Sequence, residues 1–106
     1  MSIYVMVSAT IKPGTAEAFE SAFDVVRATV AGTPGHLGDQ LLRHAGEPDR
    51  YTLLGHWEST EKFLEWEDAP VHREMTVPLR PYWAGKVDRT IYEITSADRV
   101  PTETAR

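Results

Sequence analysis

The sequence predicts an α+β domain in which strands and helical regions follow in the order β-α-β-β-α-β. Three observations support this prediction: apolar residues alternate in residues 2–12, recur every three or four positions in residues 16–30, and form two close strand-like runs at residues 36–44 and 50–57. Period-two alternation is typical of strands, and three- and four-residue spacing is typical of amphipathic helices. The order is that of the ferredoxin-like split motif, whose helices cover one face of a sheet.

Length, composition and charge fit one domain and restrict its partners. The chain has 106 residues, of which 42% are hydrophobic and 25% charged, no cysteine, and a net charge of −5. An acidic chain without a run of Lys and Arg is not expected to bind nucleic acid. No apolar stretch approaches the roughly 20 residues of a membrane span. Missing cysteine, and no evident signal peptide, favour a cytoplasmic location.

The first strand and helix are predicted from their apolar faces. The strand, residues 2–12, places on one face Ile3, Val5, Val7, Ala9 and Ile11. Pro13-Gly14 is a predicted turn, and Thr15 is the predicted N-cap of the helix. The helix presents one apolar stripe, formed by Ala16, Phe19, Phe23, Val26 and Val30. Gly32 and the following Pro34-Gly35 end it.

Prolines break the second helical region. Residues 36–44 and 50–57 are predicted to form a hairpin, and Ser59 is a candidate N-cap for a helix that carries Phe63 and Trp66. The prolines at positions 70, 78 and 81 are expected to leave short helical pieces around residues 71–77 and 79–83. The last strand is predicted at residues 86–94, and residues 96–106 are predicted to be a disordered C-terminal tail.

The sheet face away from the helices is also predicted to be apolar. It would expose Tyr4, Met6, Leu54, Tyr92 and Ile94. A contiguous apolar patch usually marks an interface. We therefore expect a homodimer in which two sheets pack face to face and close a barrel.

Aromatic residues are concentrated in the second half of the chain. Six of the ten lie between positions 51 and 83: Tyr51, Trp57, Phe63, Trp66, Tyr82 and Trp83. They form either an ordinary core or an aromatic-lined cavity that holds a flat ligand. Gly55, which shares a strand face with Trp57, would leave room for such a cavity. The four histidines are far apart in sequence, so no metal site is predicted.

The run His56-Trp57-Glu58-Ser59, followed by Phe63 and Trp66, resembles the W-x-S-x-x-x-F-x-x-W stretch of the antibiotic biosynthesis monooxygenase family. Lys12-Pro13-Gly14, Pro34-Gly35 and the position of His72 after Pro70 are also similar. The resemblance covers residues 2–95 and implies a domain over residues 1–95 that forms a dimeric α+β barrel. It also implies oxidation of a flat, polyketide-derived aromatic by O₂ without metal, flavin or haem, since many members need none of them.

Two branches of the family differ from this sequence at defined positions. The haem-degrading branch is matched at Trp66 only, because Val7 stands in place of its Asn and Thr76 falls near the place of its His. We therefore expect no haem. The anthrone-oxidising branch is matched at Trp57, whereas Leu53 and Phe63 replace its Asn and Tyr. A related oxidation is expected rather than that particular mechanism.

The expected catalytic residues are His72, Tyr82 and Arg80. A neutral His72 is the candidate base. Tyr82 and Tyr51 would orient a phenolic oxygen, and Arg80 would stabilise a phenolate. The remaining expected substrate contacts are Val7, Leu53, Trp57, Phe63, Trp66, Met75 and Trp83. The same pocket would also serve a cyclase or isomerase that uses no oxygen, or a non-catalytic protein that shields an aromatic intermediate.

Overall fold

The elements follow one another in the predicted order in a computed structural model that describes residues 2–97. They are β1 (Ile3–Thr10), α1 (Ala16–Val30), β2 (His36–Arg43), β3 (Arg50–Trp57), α2 (Thr60–Asp68), α3 (Pro70–Thr76), a 3₁₀ segment (Val77–Tyr82) and β4 (Asp88–Glu93). The predicted α+β class is confirmed. Ser96 and Ala97 are exposed and outside any strand, and the rest of the predicted tail, residues 98–106, lies outside the described residues.

The four strands form one antiparallel sheet in the order β2-β3-β1-β4, which is the ferredoxin-like order. β1 is central, with Val5 opposite Gly55 on β3 and opposite Ile91 on β4. The last strand is shorter than predicted and begins at Asp88. The reason is that the C-terminal end of β1 bonds instead to the segment that contains Tyr82 and Ala84. Lys12 N donates to Tyr82 O (2.9 Å) and Ala84 N donates to Thr10 O (2.9 Å).

The predicted helix starts are in the right places, but only one cap works as expected. Ser59 Oγ accepts a hydrogen bond from Lys62 N at 3.1 Å and so caps α2. Thr15 occupies the N-cap position of α1 without capping it. Its hydroxyl instead donates to Lys12 O at 2.6 Å, within the turn that precedes the helix.

Prolines divide the second helical region as predicted. Ala69 is extended (φ −75°, ψ 142°) because Pro70 disfavours helical geometry in the residue before it. Pro70 then begins α3, where its missing N–H costs no hydrogen bond. Pro78 and Pro81 lie in the 3₁₀ segment, which buries Leu79 against the sheet.

The core lies between the helices and one face of the sheet. It contains the apolar stripe of α1, the inward face of β1, and Tyr51, Trp57, Phe63 and Leu79. Ile11 and Phe19 have no exposed surface. The apolar stripe of α1 and the apolar face of β1 that contains Ile11 therefore both point into the core, as predicted.

The opposite face of the sheet has no helix over it among residues 2–97. Tyr4 and His56 stack there with ring centroids 4.6 Å apart, and Ser8 Oγ lies 2.8 Å from Thr52 Oγ1. Tyr92 on this face is 51% exposed. In the part of the chain that the structure describes, no helix combines the length and apolarity that crossing a membrane requires.

Candidate active site

A cavity of about 350 Å³ lies between the helix-covered face of the sheet and the segments that follow β3. Small-molecule sites usually have volumes of about 300–1,000 Å³ and apolar walls. Most of this wall is apolar, with contributions from Val5, Val7, Phe23, Val26, Val30, Leu53, Gly55, Trp57, Phe63, Trp66, Leu79, Trp83 and Val87. Its polar side chains are Asp39, Glu67, His72, Thr76, Arg80 and Arg89.

A row of four rings runs along one side of the cavity, and three of them, Trp57, Trp66 and His72, line it. The ring centroids of Trp57 and Trp66 are 5.1 Å apart, with their planes inclined by 30°. His36 packs against Trp57 at 5.0 Å, and His72 packs against Trp66 at 4.5 Å. The two indoles therefore form a continuous wall with an imidazole at each end.

Two residues, Phe63 on α2 and Met75 on α3, hold Trp66 in this wall. It follows Phe63 by three positions, so both rings lie on the same side of α2, and Phe63 is buried. Trp66 Nε1 donates to Met75 Sδ at 3.2 Å. Met75 was expected to contact substrate, but it does not line the cavity; it supports Trp66 from α3.

His72 lies in the first turn of α3 and is partly buried. Burial lowers the pKa of its imidazole below the ordinary value of 6.5, the Glu67 carboxylate opposes this shift, and Arg80 adds to it. A lowered pKa keeps the ring neutral at pH 7. His72 can therefore accept a proton from a molecule in the cavity.

Arg80 lines the cavity next to His72, and a second arginine closes the side near β4. Arg89 donates to both carboxylate oxygens of Glu67, with Nε–Oε2 2.9 Å and Nη2–Oε1 2.6 Å. Its guanidinium also lies 5.6 Å from the centre of the Phe63 ring. Sequence reasoning missed this pair because its members are 22 positions apart and meet only when β4 docks beside β1.

Two expected site tyrosines lie away from the cavity. Tyr51 is 1% exposed, and its hydroxyl donates to Glu20 Oε2 at 2.5 Å. Burial and this bond raise the pKa of Tyr51 to about 12. Tyr82 packs against Phe19 with ring centroids 6.0 Å apart. Both rings are thus part of the packing under α1 and do not line the cavity with the other expected site residues.

Asp39 lines the cavity although sequence reasoning did not select it. Its Oδ2 is 2.8 Å from His36 Nε2, and the two side chains are 19% and 6% exposed respectively. Burial raises the pKa of the Asp39 carboxyl, while His36 opposes the shift. Within residues 2–97, no group of three or more His, Cys, Asp or Glu side chains is placed to hold a metal ion.

The fold and the cavity define a class: a ferredoxin-like domain whose helices enclose an aromatic-walled pocket. The family model described as antibiotic biosynthesis monooxygenase matches residues 2–76. The chain therefore belongs to the antibiotic biosynthesis monooxygenase family.

Three curated relatives share part of their length with this chain. Protein SchA of Streptomyces halstedii is 34% identical over 83 residues, which cover 78% of this chain and 22% of SchA. A 42.8 kDa protein in the whiE locus of Streptomyces coelicolor is 31% identical over 73% of this chain and 19% of its own length. A mycobilin-producing heme oxygenase of Mycobacterium tuberculosis is 37% identical over 57% of each chain. The match thus spans about a fifth of the two Streptomyces proteins.

Solved structures show the same fold. A protein from Bordetella bronchiseptica that bears the family name has a TM-score of 0.81 at 21% identity, covering 90% of this chain and 98% of that one. SnoaB, a cofactor-independent oxygenase from Streptomyces nogalater, has a TM-score of 0.73 at 22% identity, covering 94% of this chain and 97% of its own.

Proposed function

We propose that this protein is a small cofactor-independent monooxygenase that oxidises a flat, polyketide-derived aromatic substrate with O₂. The observation that carries the proposal is the wall of Trp57 and Trp66 with His72 at its end, inside a mostly apolar cavity of about 350 Å³. SnoaB, which shares the fold, is described as a cofactor-independent oxygenase. Membership of a family named for antibiotic biosynthesis supports the same substrate class.

The proposed reaction begins with proton removal from an activated ring CH₂ of the substrate. Neutral His72 takes the proton, and the electron pair stays on the substrate as an anion that the Arg80 guanidinium stabilises. The anion reduces O₂ and binds it as a peroxide, which takes the proton back from His72. Loss of water then leaves a ring carbonyl, so that one oxygen atom enters the product and the other leaves as water. The indole wall holds the ring in place for these steps.

The proposal includes a homodimer. The open sheet face carries Tyr4, Met6, Leu54 and the half-exposed Tyr92. Two copies packed through this face would bury apolar surface that one copy leaves in water. A cytoplasmic location is proposed from the cysteine-free composition.

Two positions at which this chain differs from the haem-degrading branch, Val7 and Thr76, do not offer ligands for haem. Thr76 offers a hydroxyl, which donates to the backbone oxygen of His72 at 3.0 Å, and no imidazole. Val7 offers only an apolar side chain to the cavity. The proposed reaction accordingly involves no haem.

Oxygen uptake with a panel of anthrones and naphthols, run on metal-free protein, tests the proposal. We expect one O₂ consumed for each carbonyl formed, and loss of turnover in His72→Ala. Conversion of substrate without oxygen uptake would support a cyclase or isomerase. Tight binding of the panel with no conversion would support a non-catalytic binding protein, and either result would reject the monooxygenase.

A further inference from the structure

A bulge in β2 brings two polar side chains to the same face of the sheet. In a regular strand, residues three apart such as His36 and Asp39 point to opposite faces. Here the pairing with β3 shifts between His36 and Gly38, which inserts one extra residue. Both side chains therefore face the helices, where His36 Nε2 lies 2.8 Å from Asp39 Oδ2.

Gly55 lets the other carboxylate oxygen of Asp39 lie close to β3. A Cβ added to Gly55 would lie 3.1 Å from Asp39 Oδ1 and 3.3 Å from Trp57 Nε1. Gly55 does not have a positive φ, so its backbone conformation does not require glycine. A hydrogen-bond acceptor and a donor therefore lie on the same side of Gly55 in the cavity wall, so close to the strand that a Cβ at this position would displace them.

We propose that Asp39, positioned by His36, binds a hydroxyl group of the substrate: Asp39 Oδ1 accepts the hydroxyl hydrogen, and Trp57 Nε1 donates to the hydroxyl oxygen. This subsite lies at the Trp57 end of the indole wall, whereas His72 lies at the Trp66 end. The proposal rests on the proposed function and narrows its substrate class. The substrate is a flat aromatic that carries a hydroxyl group on the side away from His72.

The surroundings of Asp39 favour a bound hydroxyl over open water. Its side chain is 19% exposed, and burial raises the pKa of the carboxyl because the charged form is poorly hydrated there. A hydroxyl donor restores part of that lost hydration, and bonds to a carboxylate are stronger than neutral ones. A site built in this way discriminates against analogues that lack the hydroxyl hydrogen.

Calorimetric binding of 2-naphthol and 2-methoxynaphthalene tests the subsite, since the two ligands share a ring system and only the first has a hydroxyl hydrogen. We expect the protein to bind 2-naphthol about tenfold more tightly, as expected for loss of one hydrogen bond to a charged group. Gly55→Ala and Asp39→Leu should each abolish this preference. Gly38→Ala is the matched control, because a Cβ there meets nothing within 4 Å.

His36→Phe separates positioning from packing. It keeps a ring against Trp57 and removes the bond to Asp39, so the preference for 2-naphthol should fall while affinity for 2-methoxynaphthalene stays the same. Equal binding of the two ligands by the unmodified protein would overturn the subsite and leave the proposed function standing. A tenfold preference that survives in both Gly55→Ala and Asp39→Leu would overturn it as well. If neither ligand binds the unmodified protein, the proposed function fails and the subsite fails with it.

Discussion

The imidazole of His72 stands nearly perpendicular to the indole of Trp66, with ring centroids 4.5 Å apart and planes at 87°. The two residues belong to consecutive helices, α2 and α3, which Ala69 separates. This contact removes water from one side of the imidazole, which is why burial is the main cause of its lowered pKa. The candidate base and the candidate ring wall are therefore one packed unit.

Replacing His72 by Ala should abolish turnover or, where turnover remains, remove the acidic limb of the pH–rate profile, which is the fall in rate at low pH. The pKa of His72 is lowered, so the rate of the unmodified protein should fall as the pH drops through a value below 6.5, where the ring becomes protonated. The melting temperature should change by no more than about 5 °C, since a partly exposed side chain contributes little packing. A pH–rate profile and a thermal melt of the variant measure both effects.

His44→Ala is the control for that substitution. His44 lies in the turn after β2, and its side chain is 52% exposed. Its removal should leave the acidic limb in place. Full activity of His72→Ala over the whole pH range would exclude His72 as the base.

Trp66→Phe should weaken ligand binding more than it weakens the fold. The smaller ring keeps most of the apolar volume but loses ring overlap with Trp57 and the bond from Nε1 to Met75 Sδ. We expect a loss of about 1 kcal/mol in the free energy of unfolding and several-fold weaker binding of a flat aromatic, because stacked aromatic pairs contribute about 0.5–1.5 kcal/mol. Urea denaturation and calorimetric titration give the two values. Tyr82→Phe, at a ring that does not line the cavity, should leave the affinity unchanged.

Tyr51→Phe should reduce stability without affecting binding or turnover. The substitution removes the hydroxyl that donates to Glu20, and the exposed carboxylate can then be hydrated. A loss of about 1 kcal/mol is expected at pH 7. The pKa of Tyr51 is raised from its ordinary value of 10 to about 12. The stabilisation is therefore complete below pH 10 and is lost as the pH rises from 10 through about 12. Unfolding midpoints at pH 7 and in alkali measure it, and a variant of normal stability without turnover would contradict the structural role.

Leu54→Asp should weaken the proposed homodimer. Leu54 lies opposite Met6 in the middle of the open sheet face, so the substitution would place an unpaired charge in the interface. Sedimentation at micromolar concentration should show a dimer for the unmodified protein and a shift toward monomer for the variant. Val25→Asp is the control, because Val25 is 56% exposed on α1, on the other side of the molecule. An unmodified protein that sediments as a stable monomer would remove the dimer from the proposal.

Added haemin should not be degraded in the presence of a reductant. The cavity has Val7 and Thr76 at the two positions where the haem-degrading branch has polar or ligating groups. Absorbance spectra should show haemin unchanged over time. Conversion to a bilin-like product would show that other residues, with His72 the first to test, serve as the ligand.

Local patterns were sufficient to predict the elements and their faces. β3 begins and ends at the predicted Arg50 and Trp57, and α1 buries the predicted stripe. These features depend on alternation, helical spacing and proline, which act between residues close in sequence. The sequence left open whether Trp57, Phe63 and Trp66 form core or a cavity wall. Their contact depends on little tertiary structure, because they lie within ten positions and only α2 has to turn back over β3.

Tertiary structure alone decided which helix-facing residues line the cavity. Tyr51 and Trp57 share one face of β3, yet Tyr51 is covered by α1 and Trp57 faces the pocket. Alternation along a strand assigns a face, but it does not say which helix covers which end. Asp39 faces the cavity because a bulge changes the register of β2, and Glu67 pairs with Arg89 because β4 docks beside β1. Such contacts join residues far apart in sequence, so they form only once the sheet has assembled and the helices have packed on it.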